Sequence, residues 1–411
     1  MSGDLLQRFL AVREASEAHC EPLLPEDYGL QAIPETSPPK WHLAHTSWFF
    51  ETFILKHYQP GFAPYEPLFE VLFNSYYNGI GAQHPRPQRG LLSRPPIEEV
   101  LSYRQHVTDA VVDLMQSARA ERAEIESLVE LGIHHEQQHQ ELFFTDIKYN
   151  LSCNPIRPAY LEGDLENAPD IPLEWIDQEG GEFEAGYHDD SFCFDNELPR
   201  HRVLLQPFAL SNRLVSNAEY LAFMEAGGYQ APEFWLADGW ARVQEANWSQ
   251  PLYWFREGDE WWEYTLYGPK LLDPNRPACH ISGYEADAYA RWAGARLPSE
   301  FEWEAAAVKD DSPGQFLDSG ALHPLGRIAG DALQNRGYAW QWTSSAYAPY
   351  PGFAPAGGAV GEYNGKFMAN QLVLRGGSCV TPRNHMRDTY RNFFYPPDRW
   401  QFTGIRLAQW R

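Results

Sequence analysis

The sequence is short of cysteine, of positive charge and of long hydrophobic runs. Five scattered cysteines without a CxxC pair exclude a cysteine-based zinc site and fit reduced thiols in a cytoplasm. Lysine and arginine number 32 against 56 aspartates and glutamates, and the net charge of −24 disfavours nucleic acids and anionic membranes as partners. No run of about 18 apolar residues is present, so no segment is expected to span a membrane. The first ten residues, which include Asp4 and Arg8, predict an amphipathic helix rather than a signal peptide.

Aromatic residues, in contrast, are abundant and make up 15% of the 411 residues. Most of them are expected in hydrophobic cores, and their ring faces also suit a pocket for a quaternary ammonium group. A chain of this length corresponds to two or three domains at roughly 100–200 residues each.

The two parts of the chain differ in their residue patterns. Residues 1–155 predict four helices, of which the second covers 40–57, the third follows Pro95-Pro96, and the fourth covers 122–149. Residues 58–96 are rich in Pro, Gly and Asn and predict a long irregular loop. An up-down bundle of this kind can hold a metal ion between facing helices.

Helical periodicity becomes rare from residue 156 onward. Short apolar runs over 202–205 and 372–374 predict strands, and two helices are expected over 216–226 and 283–293. The predicted fold class is therefore α+β, with a helical domain over residues 1–155 and a second domain over residues 156–411.

The sharpest motif is HHEQQHQE, residues 134–141, inside the last predicted helix of the bundle. His135 and His139 are four residues apart, so both imidazoles project from one face of that helix. Glu141, or Gln140 in its place, is expected to orient one of these imidazoles through a hydrogen bond. The pair therefore predicts a metal site.

A second pair of histidines lies on the helix predicted over residues 40–57. His42 and His45 are three residues apart, and at least one of them is expected to face the bundle interior, where aromatic side chains share its face. One of these histidines together with His135 and His139 gives a site of three imidazoles with open positions. Imidazole suits zinc, copper, iron and nickel alike, so the ligand type leaves the metal undecided.

The letters HEQQH, residues 135–139, also match the HExxH motif of zinc proteases, in which the glutamate is the general base. No fitting third ligand follows downstream at the usual spacing, and the histidine-rich upstream helix differs from a protease. A zinc hydrolase is nevertheless an alternative that the sequence leaves open.

Taken together, the motifs resemble one known family. WHLAHTSWFFE, FNSYYNGIG, HHEQQHQELFFTDIK, RLPSEFEWEAA, VLRGGS and WQFTGIRLA occur in the same order in the hercynine-dependent sulfoxide synthases of ergothioneine biosynthesis, a non-heme iron family that includes the related selenoneine synthases. The resemblance implies a DinB-like four-helix bundle followed by a formylglycine-generating-enzyme-like domain of C-type lectin type.

The resemblance also implies a metal and a reaction. By motif match, His45, His135 and His139 bind Fe(II), whereas His42 and His134 are neighbours of the site. In this family, iron with open positions binds hercynine (trimethylhistidine) and O2. The enzyme then joins sulfur to the imidazole C2 and oxidises that sulfur, which iron supports and zinc does not.

Several further residues match substrate-binding positions of the family. Gln138 lies beside the last ligand, and Asn392 matches an asparagine that contacts hercynine. Phe393 has a ring face suited to the trimethylammonium group. Arg86 and Arg89 match an arginine pair that holds substrate carboxylates in one branch, for which the guanidinium is well shaped.

A catalytic acid is expected from Tyr76 or Tyr77, which match paired tyrosines of one branch. A phenol keeps its proton at neutral pH and can deliver it to reduced oxygen. The sequence does not decide which of the two tyrosines acts.

The sulfur donor is expected to differ from γ-glutamylcysteine. The branch that uses this dipeptide holds it with an aspartate and a later arginine, and these positions are Phe394 and Asp398 here. Cysteine is the favoured donor. A selenosugar, as in selenoneine synthases, is the alternative, since Phe393, Phe394 and nearby aromatics offer stacking surfaces.

Two further classes stay open at this point, namely a thiol transferase that uses the bundle metal and a non-enzymatic binding module on a lectin-like scaffold. The expected partners are the small-molecule substrates, without nucleic acid or membrane. The protein is expected to be a cytoplasmic monomer or small homo-oligomer.

Overall fold

A computed structural model describes residues 2–117, 120–326 and 333–411. The chain divides into two compact units, one formed by Met1–Tyr160 with Ala356–Tyr363 and the other by Leu161–Pro355 with Asn364–Arg411. Long helices dominate the first unit and short strands the second, as the α+β class requires. No helix of the described residues combines the length and the apolar character needed to cross a membrane.

The first unit is built around long helices that agree with the predicted ones. Its helices are α1 (Ser2–Ala18), α2 (Pro39–Phe50), α3 (Lys56–Tyr58), α4 (Phe69–Leu72), α5 (Ile97–Gln116) and α6 (Arg122–Ser152). A π-helical turn, Glu51–Leu55, joins α2 to α3, so the helix predicted over 40–57 is continuous but irregular. In the bundle, α2 packs against α5 and α6, and α1 packs against α6.

Local sequence explains where these helices begin and how closely they approach. Pro38 and Pro96 cap α2 and α5 in extended conformations, which suit a residue that cannot donate a backbone hydrogen bond. Gly132 lies where α6 crosses α2, and a Cβ at this position would be 2.4 Å from Cε1 of Phe50. The glycine therefore allows the two helices to come close together.

The described residues of the second unit form four small sheets with mostly antiparallel pairing. Its strands are β1 (Trp175–Gln178), β2 (Gly181–Ala185), β3 (His201–Leu205), β4 (Phe208–Ser211), β5 (Trp254–Glu257), β6 (Glu260–Thr265), β7 (Gly268–Leu271), β8 (Trp340–Ala346), β9 (Leu372–Arg375), β10 (Asn392–Phe394), β11 (Thr403–Gly404) and β12 (Ala408–Trp410). The strand orders are β1-β4-β12, β10-β9-β8-β11, β2-β3 and β5-β6-β7. The runs predicted as strands over 202–205 and 372–374 are confirmed.

The helices beyond residue 160 are more numerous than the sequence patterns predict. They are α7 (Asn217–Glu225), α8 (Ala237–Ala246), α9 (Gly283–Trp292), α10 (Glu300–Ala307) and α11 (Glu362–Gly365). The two predicted helices correspond to α7 and α9, whereas α8 and α10 were missed. Helix α10 begins with a capping box, since Ser299 accepts from the backbone of Glu302 and Glu302 accepts from the backbone of Ser299.

Buried ion pairs form the polar centre of the second unit. Arg375 contacts Glu300 at 3.1 Å and Glu304 at 2.6 Å, and Arg391 contacts Glu300 at 2.8 Å. These charges are almost fully buried, so each needs its partner. The RLPSEFEWEAA and VLRGGS motifs supply three of them, Glu300, Glu304 and Arg375, so these motifs stabilise the fold of the second unit.

A buried charge cluster also joins the four long helices of the bundle. Glu136 of α6 accepts hydrogen bonds from Arg13 of α1 and from Arg104 of α5, both at 2.9 Å. The same two guanidinium groups donate to Thr46 and Ser47 of α2. Burial alone would raise the pKa of Glu136, but the charges of Arg13 and Arg104 outweigh it and lower this pKa to about 2.

We expect Glu136→Gln to destabilise the bundle strongly. The substitution removes the carboxylate that pairs with the buried Arg13 and leaves the buried Arg104 with Glu17 alone, which costs about 3 kcal/mol or more. The matched control is Glu130→Gln, because Glu130 forms a partly exposed pair with Arg8 at 3.0 Å and its loss costs less than about 1 kcal/mol. Urea unfolding followed by helical circular dichroism gives both values, and equal losses would contradict the role of the cluster.

Candidate metal centre

Three histidines of the bundle converge on one point. His45, His135 and His139 each offer a ring nitrogen, and these atoms lie within 4.8 Å of one another. Their ring centroids are 4.7–5.0 Å apart. Helix α2 supplies His45, and α6 supplies the other two at i and i+4 on one face. The structure thus brings together the three residues that the sequence predicted as ligands.

The surroundings of His45 fix its orientation. Its Nδ1 donates to the carbonyl oxygen of Phe73 at 2.6 Å, which leaves Nε2 as the lone-pair nitrogen. Trp41 and Trp48 stack on the ring, with centroids at 4.6 Å and 5.5 Å. Three contacts therefore hold this imidazole before any metal binds.

His135 offers an unsatisfied nitrogen. Phe49 stacks on its ring at 4.5 Å, and its Nδ1 is buried with no hydrogen-bond partner among the described residues. A buried ring nitrogen without a partner is costly unless a ligand satisfies the imidazole. This observation fits a metal ion at the point where the three histidines meet.

All three imidazoles are held neutral. Burial lowers the pKa of His135 to about 4. Burial and the neighbouring His135 lower the pKa values of His45 and His139 well below the usual value. Since a metal binds only the unprotonated nitrogen, no proton competes for these positions at neutral pH. Three neutral nitrogen donors suit iron as well as zinc, copper or nickel.

His42 lies next to the three histidines, as expected, but the sequence did not predict its contacts with His139 and Asp146. Its Nδ1 lies 2.9 Å from Nδ1 of His139, and its Nε2 lies 3.1 Å from Oδ2 of Asp146. Asp146 follows His139 by two helical turns on α6. This i+7 spacing is the feature of the sequence from which its position near the site could have been predicted. Asp146 is therefore a carboxylate that reaches a predicted ligand through His42, and the role expected of Glu141 stays a prediction.

The residues beside the ligands on α6 have different environments. Gln140 donates to the carbonyl oxygen of Val12 and to the hydroxyl of Ser16, both at 3.0 Å, so it contacts α1 and does not orient a ligand. Gln138 is half-buried and lies next to His139 in the sequence. Its substrate contact stays a prediction.

The glutamate of the HExxH match is already engaged. Both carboxylate oxygens of Glu136 accept from Arg13 and Arg104, and its lowered pKa makes it a poor proton acceptor. A zinc protease needs this carboxylate free as general base. The contacts therefore argue against the hydrolase alternative.

The predicted tyrosine pair lies in the loop between α4 and α5. Tyr77 is buried, with its ring 5.5 Å from Trp48 and 5.0 Å from Phe53. Tyr76 is half-buried, its hydroxyl accepts a hydrogen bond from Nη1 of Arg86, and its ring lies 6.2 Å from that of Tyr363. The two tyrosines thus differ in exposure.

The two arginines of the same loop also differ. Arg86 is half-buried and donates to Tyr76 and to the carbonyl oxygen of Glu35. Arg89 is buried 3.4 Å above the ring of Trp41 and donates to the hydroxyls of Ser37 and Ser75. Burial, with the nearby charge of Arg86, lowers the pKa of Arg89 to about 9, so it keeps its charge at neutral pH.

The other predicted substrate residues lie on β10 in the second unit. Phe393 stacks on Tyr347 at 4.1 Å and lies 5.9 Å from Phe367. Oδ1 of Asn392 accepts from the backbone of Phe393 at 2.9 Å. Phe394 pairs with Leu372 and is half-buried. Their contact with a substrate stays a prediction.

Comparison with known proteins supports the assignment of both domains. A family model described as the DinB superfamily matches residues 8–143, and one described as a sulfatase-modifying factor enzyme 1-like domain matches residues 166–336. Fold and site together thus define a DinB-like bundle that carries a cluster of three histidines, followed by a formylglycine-generating-enzyme-like domain.

Individual relatives are similar over nearly the whole chain. The chain is 30% identical over 420 residues to the hercynine oxygenase of Mycolicibacterium thermoresistibile, which covers 92% of this chain and 88% of that protein. It is 30% identical to the hercynine oxygenase of Mycolicibacterium smegmatis, with 92% of each chain covered. Ergothioneine biosynthesis protein 1 of Schizosaccharomyces pombe is 26% identical over 53% of this chain and 28% of its own length. The chain belongs to the hercynine oxygenase family, which confirms the resemblance.

We expect His139→Ala to abolish stoichiometric binding of a divalent metal, because two imidazoles cannot replace three. The control is His57→Ala, since His57 is exposed on α3 and outside the histidine cluster. Titration of the metal-free protein with Co(II), followed by its visible absorption, reports both variants. Unchanged binding by His139→Ala would contradict the ligand assignment.

Proposed function

We propose that this protein is an O2-dependent non-heme Fe(II) enzyme of ergothioneine biosynthesis that joins the imidazole C2 of hercynine to the thiol of cysteine and oxidises the sulfur. The observation that carries the proposal is the cluster of three neutral imidazoles, His45, His135 and His139, in a member of the hercynine oxygenase family.

The reaction balances without a further reductant. A thiol, the imidazole C2–H and O2 give a sulfoxide linked to the imidazole and one water molecule. The thiol and imidazole C2 together lose two hydrogens, one oxygen atom ends on sulfur, and the other ends in water. The four electrons that O2 accepts come from formation of the carbon–sulfur bond and from oxidation of the sulfur.

Iron fits this proposal better than zinc. When bound, Fe(II) supplies the redox chemistry of O2, whereas zinc has no accessible second oxidation state. The chain contributes three neutral nitrogen ligands, which leave coordination positions for hercynine and O2. Stacking by Trp41, Trp48 and Phe49 keeps the ligand rings in place and shields them from water.

We assign the catalytic acid to Tyr76. Reduction of O2 to water requires proton delivery, and a phenol can give up its proton when the resulting charge is stabilised. Arg86 donates to the Tyr76 hydroxyl and places a positive charge beside it. Tyr77 is buried and packs against the rings of Trp48 and Phe53.

The remaining predicted residues would bind the substrates. Gln138, Asn392, Phe393 and Phe394 are proposed for hercynine, whose trimethylammonium group is attracted by aromatic faces. We assign the donor carboxylate to Arg86 rather than Arg89. Arg89 is buried, and both of its terminal nitrogens already donate to serine hydroxyls.

We expect the iron-loaded protein to consume O2 when hercynine and cysteine are both present. Cysteine, γ-glutamylcysteine and a selenosugar are offered together with hercynine, and mass spectrometry of the products identifies the donor. A cysteine-linked sulfoxide is the expected main product. A carbon–selenium product would identify the selenosugar, instead of cysteine, as the donor. Absence of O2 uptake with every donor would overturn the proposed function.

We expect Tyr76→Phe to lower the rate of sulfoxide formation by about 100-fold or more, because the proton donor is lost. Tyr77→Phe removes only a hydroxyl from an aromatic cluster and is the matched control, with an effect of less than about 10-fold. Product formation per O2 consumed is measured for both variants. A larger loss of rate in Tyr77→Phe would identify Tyr77 as the catalytic acid. If neither variant lost activity, neither tyrosine would be the acid.

A further inference from the structure

We propose that Asp146 and His42 act as a positioning pair, which fixes the proton of His139 on Nδ1 and thereby reserves its Nε2 for the metal. The inference rests on the metal-binding part of the proposed function and is independent of the substrates. Neither residue belongs to the three-histidine cluster. The pair acts through His139 and not through contact with a substrate.

The contacts form one continuous line of hydrogen bonds. Nδ1 of His139 lies 2.9 Å from Nδ1 of His42, and Nε2 of His42 lies 3.1 Å from Oδ2 of Asp146. The same oxygen accepts from the backbone N–H of Ser37 at 2.8 Å, and Oδ1 accepts from the hydroxyl of Thr145 at 3.3 Å. Asp146 and His42 are 3% and 5% exposed, so water does not compete for these bonds.

The direction of each hydrogen bond follows from the carboxylate end. A carboxylate that accepts from Ser37 and Thr145 also accepts from Nε2–H of His42. When the carboxylate holds the single ring proton of His42 on Nε2, Nδ1 of His42 is the acceptor and His139 donates to it. The proton of His139 therefore lies on Nδ1, and its Nε2 keeps a lone pair for the metal.

The other two ligands are oriented by different means. A backbone carbonyl, that of Phe73, fixes His45, whereas His135 is held by stacking on Phe49. His139 is also the most exposed of the three. Its orientation thus depends on side chains, and these side chains can be changed one at a time.

Helical spacing explains how the pair reaches His139. His42 lies one turn before His45 on α2, and Asp146 lies two turns after His139 on α6. Helices α2 and α6 pack against each other, which brings these faces together. The pair is therefore built into the same helix contact that assembles the ligands.

The decisive variants are His42→Leu and His42→Asn. Leucine removes the acceptor for Nδ1–H of His139, and we expect Co(II) affinity to fall by about 10- to 100-fold. Asparagine places an amide oxygen near the position of Nδ1, so it keeps that acceptor, and we expect its affinity to lie within a few-fold of the unchanged protein.

The matched control is His19→Leu. His19 lines the same small cavity as His42 and His139. It does not take part in the hydrogen bonds that join Asp146, His42 and His139. The loss of volume is similar, and we expect unchanged Co(II) affinity. Thermal unfolding of each metal-free variant shows whether the protein is folded before metal is added.

The proton positions are measured directly on the metal-free, unchanged protein by long-range 1H–15N correlation of its histidine rings, assigned with the variants. We expect the proton on Nδ1 of His139 and on Nε2 of His42. A proton on Nε2 of His139, or full Co(II) affinity in His42→Leu, would overturn the pair. Failure of the unchanged protein to bind Co(II) would instead reject the metal site, and absence of O2 uptake would reject only the proposed reaction.

Discussion

The candidate metal centre depends on one buried charge cluster. Glu136 is the residue after a predicted ligand on α6, and its carboxylate is held by Arg13 of α1 and Arg104 of α5. These guanidinium groups also bond Thr46 and Ser47, which directly follow the predicted ligand His45 on α2. The cluster therefore connects all four long helices at the level of the histidines. Because each buried charge requires its partners, the helices cannot shift at this level without breaking several bonds at once.

Burial has opposite effects on the two kinds of side chain in the bundle centre. The carboxylate of Glu136 stays charged because two cations surround it, whereas the imidazoles stay neutral because desolvation disfavours their charged form. The charged Glu136 and the neutral His135 and His139 thus lie next to one another on α6. The letters HEQQH alone do not define the role of their glutamate. The residues that contact Glu136 determine whether it is a structural ion-pair partner or a general base.

Much of the fold and of the cluster could be predicted from the sequence. The i, i+4 spacing of His135 and His139 is a local property, and so are the helix periodicity and the prolines that start α2 and α5. The contacts of Arg13 and Arg104 are different, because they join residues far apart in the sequence and depend on how helices pack. The i+7 position of Asp146 was visible, but its role requires His42, which lies on another helix. Helices α8 and α10 were not predicted, although α8 is as long as the predicted α9 and the capping box of α10, Ser299 with Glu302, is visible in the sequence.

The position of Arg13 on the first helix has a consequence for work with fragments. A trimmed version that begins after Ala18 would keep every histidine of the cluster. It would nevertheless leave Glu136 with one cation instead of two and would uncover the face of α6 against which α1 packs. A minimal scaffold for grafting this site onto another protein must therefore include the N-terminal helix, although that helix supplies no ligand.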